Sequence, residues 1–406
     1  MPVRLLRVLL LLFFFCGGAY AAETDAYAYL NKIRIQAGML PFSYHEQLAL
    51  AALNHASYLH MHRLGGHGEQ SGRRGFTGSS HIERIVRAGY PSRLTSENVS
   101  YHTGSVGFRQ SIDGLMSAIY HRFAFLSFKH DEVGIGSVQT QEFSTHVYNF
   151  GNQRKRELCL LPGYSGRGHY IYQVCPDERF RIAPHEIEKA TQDVAAKSVD
   201  VVVWPANQGM DIPPAFYEED PDPLPSYDVS GYPASIQFNP SAFPGSVPVV
   251  SRFQLFRVKD NQLLEAAAKL DVANDANRKF TEYEHALFPA QRLEWGTRYR
   301  AEADYHYAGQ QESLSWEFTT QELDLPMVTV TSDNQPILVT PGESFAIYVP
   351  PRGPRDGEGV YQSRFPSGMK LDIKIHDSHT LIVTASGRMG NASIKFHGLN
   401  IRLLQQ

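Results

Sequence analysis

Apolar residues recur at helical spacing near the N-terminus and at alternating spacing through the second half of the chain. The first periodic stretch predicts a helix over residues 24–37, with Tyr27, Leu30 and Ile33 on related faces and Gly38 as its stop. A second helix is expected from His45 to Leu64, carrying Leu48, Ala52, His55, Leu59 and His62 at helical spacing, with Gly65-Gly66 ending it. A third, His81 to Ala88, turns Ile82, Ile85 and Val86 inward and stops at Gly89. Glu97 opens a short extended piece. A fourth helix is expected from Gly107 to Tyr120, with His121 at its end. From Asp131 to Tyr148 the pattern shifts to strand alternation, through Val133, Ile135 and Val138, then His146, Val147 and Tyr148.

Beyond Asn152 the character changes. Arg154-Lys155-Arg156 forms a charged link, and Ile187 to Lys197 reads as a polar helix. Proline recurs from Trp204 to Pro225, with Glu218-Glu219-Asp220-Pro221-Asp222-Pro223 at its centre. An acidic run can bind calcium, but no Asp-x-Asp-x-Asp-Gly loop is present, so a stiff spacer is the better reading. From Gly231 onward strands dominate: Ser235–Phe238, Arg252–Val258, Thr297–Tyr307 and Ser313–Thr319, the last ending on the inward aromatics Trp316 and Phe318. This unit resembles a bacterial Ig-like or fibronectin-type sandwich. A third region, Met327 to Leu404, again reads as strands: Met327–Thr331, Ser344–Val349, Met369–Ile375, Thr380–Thr384 and Ala392–Phe396.

A chain of 406 residues exceeds one ordinary core and predicts two to three domains. Arg4 and Arg7, the apolar run Val8–Phe15 and the Ala19-Tyr20-Ala21 site read as a secretory signal over residues 1–21. That run is too short to span a bilayer, and bulky Phe15 before Cys16 argues against a lipid anchor. No later segment is long and apolar enough to cross a membrane, so the expected location is secreted or periplasmic. The formal charge of −4 argues against a nucleic-acid partner. Cys159 and Cys175 survive cleavage of the leader; in an oxidising compartment that pair predicts a disulfide closing a loop worth about 3 kcal/mol.

The candidate chemistry lies between His67 and His121. Gly65-Gly66-His67-Gly68-Glu69, Ser96-Glu97-Asn98-Val99 and Tyr120-His121-Arg122 are three short polar clusters far apart in sequence. Two neutral imidazoles, His67 and His121, and the Glu97 carboxylate suit a divalent transition metal with one position left for water. The same trio works without metal if a histidine is the base and Glu97 its orienting partner. A zinc pair on one helix needs four-residue spacing, which His55, His60 and His62 lack, so these three are read as packing or surface residues. No Gly-rich nucleotide loop, GxSxG elbow or HExxH helix is present.

Short motifs fall in a family order: Leu30-Asn31-Lys32-Ile33-Arg34, the Ala-rich helix through His55 to Leu59, the three polar clusters, Gly75-Phe76-Thr77-Gly78, Arg87-Ala88-Gly89-Tyr90 and Val133-Gly134-Ile135-Gly136. Together residues 24–155 resemble the CAP superfamily of cysteine-rich secretory, antigen 5 and pathogenesis-related 1 proteins, in its bacterial cysteine-poor form. The resemblance implies an α-β-α sandwich, buried and hydrogen-bonded Asn31 and Arg34, and one cleft joining His67, Glu97 and His121. The animal and plant members carry a second glutamate, and the matching position here is Ala118. Glu69, two residues after His67 on the same loop, is the candidate to stand in for it, and Asp113 reads as a solvated or capping residue.

The fold expected is therefore α+β: a signal at 1–21, a CAP-like domain at 24–155, a disulfide loop and proline-rich acidic linker at 156–229, an Ig-like sandwich at 230–323 and a β-rich domain at 324–406. Two functions follow. One is a secreted binding module whose cleft engages a lipid, glycan or protein ligand in the cell envelope or outside the cell. The other is a zinc-dependent, peptidase-like hydrolase using His67 and His121 on a weakly held Zn2+ with Glu97 as ligand or base. The acid missing at Ala118 favours the first.

Overall fold

In the computed structural model, residues 16–357, 359–388 and 390–405 are described. Most of the expected signal segment, residues 1–15, lies outside them. The chain divides into two units, residues 1–204 with 236–248, and residues 205–235 with 249–406.

The first unit is built on a four-stranded sheet of β1 (Ser43–Tyr44), β2 (Ser96–Thr103), β3 (Glu132–Gln139) and β4 (Phe143–Gly151), in the order β1-β3-β4-β2. β1 runs parallel to β3 and the other pairs are antiparallel. Alternation along β4 sorts the two faces. Val147 joins Val99 in packing on Ala52, Ala56 and Leu59 of helix α2 (Glu46–His62). Tyr148 and Phe150 turn the other way, their rings 5.2 and 5.7 Å from Phe125. Helices thus cover both faces of the sheet.

Two glycines of β3 set the depth of α2. A Cβ at Gly134 would lie 2.0 Å from the Ala49 nitrogen, and one at Gly136 2.1 Å from the Leu53 nitrogen. Only glycine lets the helix backbone rest directly on the strand. Ala52 and Ala56, both fully buried, pack on the same sheet face, while Ala51 turns to Ile85 and Tyr90.

Helix α1 (Cys16–Gln36) begins earlier than its periodicity predicts, and Asn31 and Arg34 on it are buried. The Asn31 amide donates to the Phe42 carbonyl and accepts from the Phe42 N–H, while Arg34 donates to the carbonyls of Leu40 and Phe125. Helix α3 (His81–Arg87) follows expectation, with Ser80 as its N-cap. The expected fourth helix does not run to Tyr120. It divides into α4 (Phe108–Ser117) and α5 (Ile119–Phe125), with Ala118 extended at φ −73°, ψ 114°. The fully buried Arg122 donates through Nε to the Met116 carbonyl at 2.6 Å, satisfying an acceptor near the break. His121 consequently sits in the first turn of α5, not at the end of a long helix.

Helices α6 (Gln153–Leu158) and α7 (Pro184–Ala195) follow the sheet. Cys159 and Cys175 form a disulfide, their Cα atoms 5.5 Å apart. Val174, Cys175 and Ile182 pack with Leu94 and Leu158, and the Arg93 N–H donates to the Val174 carbonyl at 2.9 Å. Strand Val201–Trp204 pairs with Ala234–Phe238, and the Asn239 amide donates to the carbonyls of Ala195 and Val199.

The second unit contains a sheet ordered Gln262–Leu263, Val249–Arg257, Arg298–Tyr307, Gln310–Thr320, Gly209–Ile212. Part of the stretch expected as a spacer is folded here: strands Gly209–Ile212 and Ala215–Phe216 lie within it, with Phe216 and Leu224 buried. The C-terminal region is a pair of four-stranded sheets. One is ordered Met327–Thr329, Ser344–Tyr348, Thr380–Gly387, Met369–Asp377; the other Pro336–Val339, Leu399–Gln405, Ala392–Phe396, Gln362–Arg364. Ile347, Leu381 and Val383 of the first meet Ile337, Ile394, Phe396, Ile401 and Leu403 of the second in one core. Among the described residues no helix is long and apolar enough to cross a membrane.

Candidate functional site

α2 ends at Arg63 in the left-handed region (φ 51°), and Gly66 (φ 86°) then folds the loop back beneath the helix. The return is tight: a Cβ at Gly65 would fall 2.0 Å from the Tyr101 ring of β2. This loop delivers two of the polar residues. The His67 side chain stays 52% exposed, with Nδ1 2.9 Å from Glu97 Oε1. Glu69 turns inward and is buried.

Glu97, on β2, is almost wholly enclosed, its side chain 1% exposed. A carboxylate so placed needs hydrogen bonds or a counter-charge. Arg84 of α3 supplies both, its Nη2 lying 2.9 Å from each Glu97 oxygen and 3.0 Å from the His67 carbonyl. Its Nη1 donates to the Gly78 carbonyl, and Nε lies 3.8 Å from Glu69 Oε1. Burial alone would raise the Glu97 pKa, but the His67 hydrogen bond and the Arg84 guanidinium outweigh it and hold the carboxyl below its usual range.

Glu69 is held in the same way. Against burial, His55, the Thr77 N–H and Arg84 together lower its pKa. The fully buried His55 places Nδ1 3.0 Å from Glu69 and Nε2 3.1 Å from the Gly66 carbonyl. Both nitrogens face acceptors, the geometry of a ring that donates twice. His55, expected as packing, is therefore part of the polar cluster, and Arg84, which the sequence reading passed over, is its centre.

His121 joins this neighbourhood through its backbone: its carbonyl accepts from Asn98 Nδ2 at 2.9 Å. Asp113, expected as solvated or capping, instead accepts a 2.6 Å bond from the Tyr29 hydroxyl, and burial raises its pKa. Ala118 is buried at the break between α4 and α5 and offers no polar atom beyond its backbone.

The expected metal set has to be weighed against these contacts. Arg84 covers both Glu97 oxygens and His67 takes a further lone pair, so Glu97 as arranged does not fit a ligand role. It fits the role of a carboxylate that fixes an imidazole's tautomer, leaving His67 Nε2 as the ring atom not committed to it.

Comparison with known proteins identifies the span that carries these residues. Residues 27–150 match the family model described as CAP, the cysteine-rich secretory protein family. The chain thus carries a CAP domain there. A search of the curated proteins gave no match. An outer surface protein of Borrelia burgdorferi is 17% identical, with a TM-score of 0.28 over 32% of this chain and 92% of that one. An extracellular SCP-domain protein of Bacillus anthracis is 16% identical, with a TM-score of 0.27 over 32% of this chain and 40% of that one. The later β-sandwich region matches Ig- and fibronectin-like structures distantly, among them the fibronectin(III)-like modules of Clostridium thermocellum CbhA, at 9% identity and a TM-score of 0.17 over 51% of this chain and 94% of that one.

Proposed function

We propose that the CAP domain at residues 27–150 is an extracytoplasmic binding module, secreted or periplasmic, whose cleft is lined by His67, Glu97 and His121. Its ligand is a lipid, glycan or protein surface that offers an apolar face beside a hydroxyl or acidic oxygen. The observation that carries this reading is the Arg84 guanidinium on both oxygens of Glu97. It holds the carboxylate as a fixed anion and removes it from service as a proton acceptor. What remains at the surface is the half-exposed His67 imidazole, with Leu64 (37% exposed) and Tyr101 (51% exposed) on the same loop and strand. An aromatic and an aliphatic face around one oriented imidazole suit recognition.

The test is a glycan and lipid binding screen on exported protein, repeated with His67→Ala and Tyr101→Ala. Ligand retained by wild type and lost in both variants, with the thermal transition unchanged, supports the reading. Ligand retained by both variants removes it. A hydrolase reading is favoured by one feature, the 2.9 Å His67–Glu97 pair. Zinc would be held there by His67 Nε2 and His121 with water completing the shell, and would supply a polarised water. Such a site is weak and is lost as imidazoles protonate. Calorimetric titration near neutral pH decides it: no zinc heat that depends on His67 or His121 leaves the binding module alone.

A further inference from the structure

The C-terminal sandwich carries a second histidine–carboxylate cluster, remote in sequence from the CAP cleft. Strands Met369–Asp377 and Thr380–Gly387 join through Ser378-His379, and strands Ala392–Phe396 and Leu399–Gln405 join through His397-Gly398. The two hairpins belong to opposite sheets, and their tips meet: the His379 and His397 rings stack at 4.1 Å with an interplanar angle of 18°. Asp356, from the loop before strand Gln362–Arg364, approaches the same point, its carboxylate 3.0 Å from His397 Nδ1.

Three features of this cluster go beyond packing. First, His397 sits at φ 47° and Gly398 at φ 77°, the two left-handed positions of a type I′ hairpin turn. Asparagine or glycine meets that demand at less strain, so an imidazole there is held against backbone preference. Second, His397 Nε2 lies 2.7 Å from the Ser378 carbonyl and must donate to it. Nδ1 then faces the Asp356 oxygen at 3.0 Å, and two acceptors at that separation need a cation between them, a proton or a metal. Third, His379 is completely buried, yet neither Nδ1 nor Nε2 has a hydrogen-bond partner among the described residues. A buried polar atom left without a partner is destabilising, and here both ring nitrogens are. A proton on His397 answers the second feature but not the third.

We propose that His379, His397 and Asp356 form a binding site for a divalent transition metal of the zinc class, joining the two sheets of the C-terminal sandwich at their hairpin tips. One ligand atom from each residue lies within 4.8 Å of the other two. Ligands on tetrahedral zinc, at about 2.0–2.1 Å from the ion, stand about 3.3 Å from one another. Completing the set requires the His379 ring to turn out of its stack on His397, so that both ring planes contain the ion. The surroundings supply the second layer such sites use. The Ser378 carbonyl fixes the His397 tautomer. The Arg352 N–H and Nε hold Asp356 Oδ2 at 3.0 and 3.4 Å, leaving Oδ1 turned to His397. Arg352 is 64% exposed and its charge is screened by solvent, whereas the nearby Arg292 is paired with Asp377 at 2.6 Å. Two neutral imidazoles, one carboxylate and water make a borderline-soft set that zinc prefers to calcium or magnesium.

The experiment uses the full chain, stripped with chelator and titrated with zinc by calorimetry, and with cobalt(II) to read ligand field by visible absorption. Wild type is expected to bind one ion with a tetrahedral cobalt spectrum. His379→Ala and His397→Gln should each weaken binding at least tenfold and abolish that spectrum, because losing a ligand costs more than the roughly 10–100-fold of losing an outer-shell partner. His67→Ala and His121→Ala should leave it intact, which separates this site from any metal in the CAP cleft. Should a turn variant fold poorly, Asp356→Asn keeps the shape and is expected to weaken zinc while the far-ultraviolet circular dichroism stays unchanged. A wild type that binds no zinc, or binding that survives His379→Ala, or binding lost only in His67→Ala, would overturn the proposal. The first of these outcomes leaves His397 as a plain imidazolium–carboxylate pair.

Discussion

Two histidine–carboxylate clusters stand out among the described residues, and they differ in where the positive charge comes from. In the CAP domain Glu97 and Glu69 converge on Arg84, a cation covalently part of α3, and the buried imidazole His55 has an acceptor at each nitrogen. In the C-terminal sandwich Asp356 and His397 converge on His379, a neutral ring whose two nitrogens meet no partner among the described residues. Burial pushes the His379 pKa down to about 4, so that ring does not supply the charge itself. A built-in guanidinium closes a network and makes it structural. A carboxylate and two imidazoles whose one guanidinium, Arg352, is exposed and touches only the outer Asp356 oxygen form a receptor for a cation from outside. The comparison teaches that residue types alone do not separate the two cases; the arginine does.

Removing that arginine should have the largest effect. Arg84→Ala leaves Glu97 and Glu69 buried without their counter-charge and is expected to destabilise the first unit by about 3–5 kcal/mol, read by urea unfolding with a probe in that unit. Arg84→Lys should recover only part of it, since an ammonium cannot reproduce the spread of contacts a guanidinium makes to Glu97, the Gly78 carbonyl and the His67 carbonyl. Full recovery by lysine would mean that charge alone matters, and the contrast between the clusters would weaken. The double variant Cys159→Ser/Cys175→Ser comes next, at about 3 kcal/mol for a loop of this size. Glu97→Gln keeps the shape but turns charge-assisted bonds into neutral ones, for an expected loss of about 1.5–3 kcal/mol.

Acid should separate the same interactions by pH. Burial, with help from Lys155, Lys129 and Arg34, pushes His130 down to about 3, and burial pushes His146 down to about 4. Both rings bind protons more tightly unfolded than folded, so their contribution is complete above about 6.5 and drains away as pH falls towards 3–4. Glu69 and Glu97, also depressed, begin to count only below their unfolded value near 4.5. Stability of the first unit measured from pH 8 to 3 should therefore fall in two stages, histidines first. A flat profile down to pH 5 would contradict the histidine stage. The smallest effect is expected at the exposed Arg63–Glu142 pair, where Glu142→Gln should change stability by less than about 0.5 kcal/mol in the same unfolding assay.

Much of the fold was legible in the chain. Helical spacing located α2 and α3, and alternation located β3 and β4. That Gly134 and Gly136 seat the α2 backbone on β3 was not legible, since a glycine in a strand does not say what approaches it. His67 and Glu97 were legible as a pair because short motifs place them on a loop and a strand in a known order. Arg84 was not. On α3 the inward positions were read as Ile82, Ile85 and Val86, whereas Arg84 and Ile85 are the buried ones. An arginine buried by two carboxylates from other elements leaves no periodic trace, and only Glu69 and Glu97 standing nearby without an evident cation hinted at it. The break at Ala118 was hidden for a related reason, since alanine is a good helix former and the Arg122 side chain that serves the freed Met116 carbonyl leaves no mark in the apolar spacing. His379 and His397 lie on the turns of two separate hairpins, so nothing local announces that sheet packing stacks their rings.

The division of the chain has a temporal consequence. The first unit draws on residues 1–204 and again on 236–248, with an excursion into the second unit between. As the polypeptide emerges from a ribosome or an export channel, the CAP sheet can pair as soon as β4 has appeared, but the strand that partners Val201–Trp204, and Asn239 that ties down Ala195 and Val199, arrive later. At about 5–20 residues per second the wait is on the order of seconds. During it the chain holds a formed sandwich with an unfinished border, an order of assembly written into the connectivity itself.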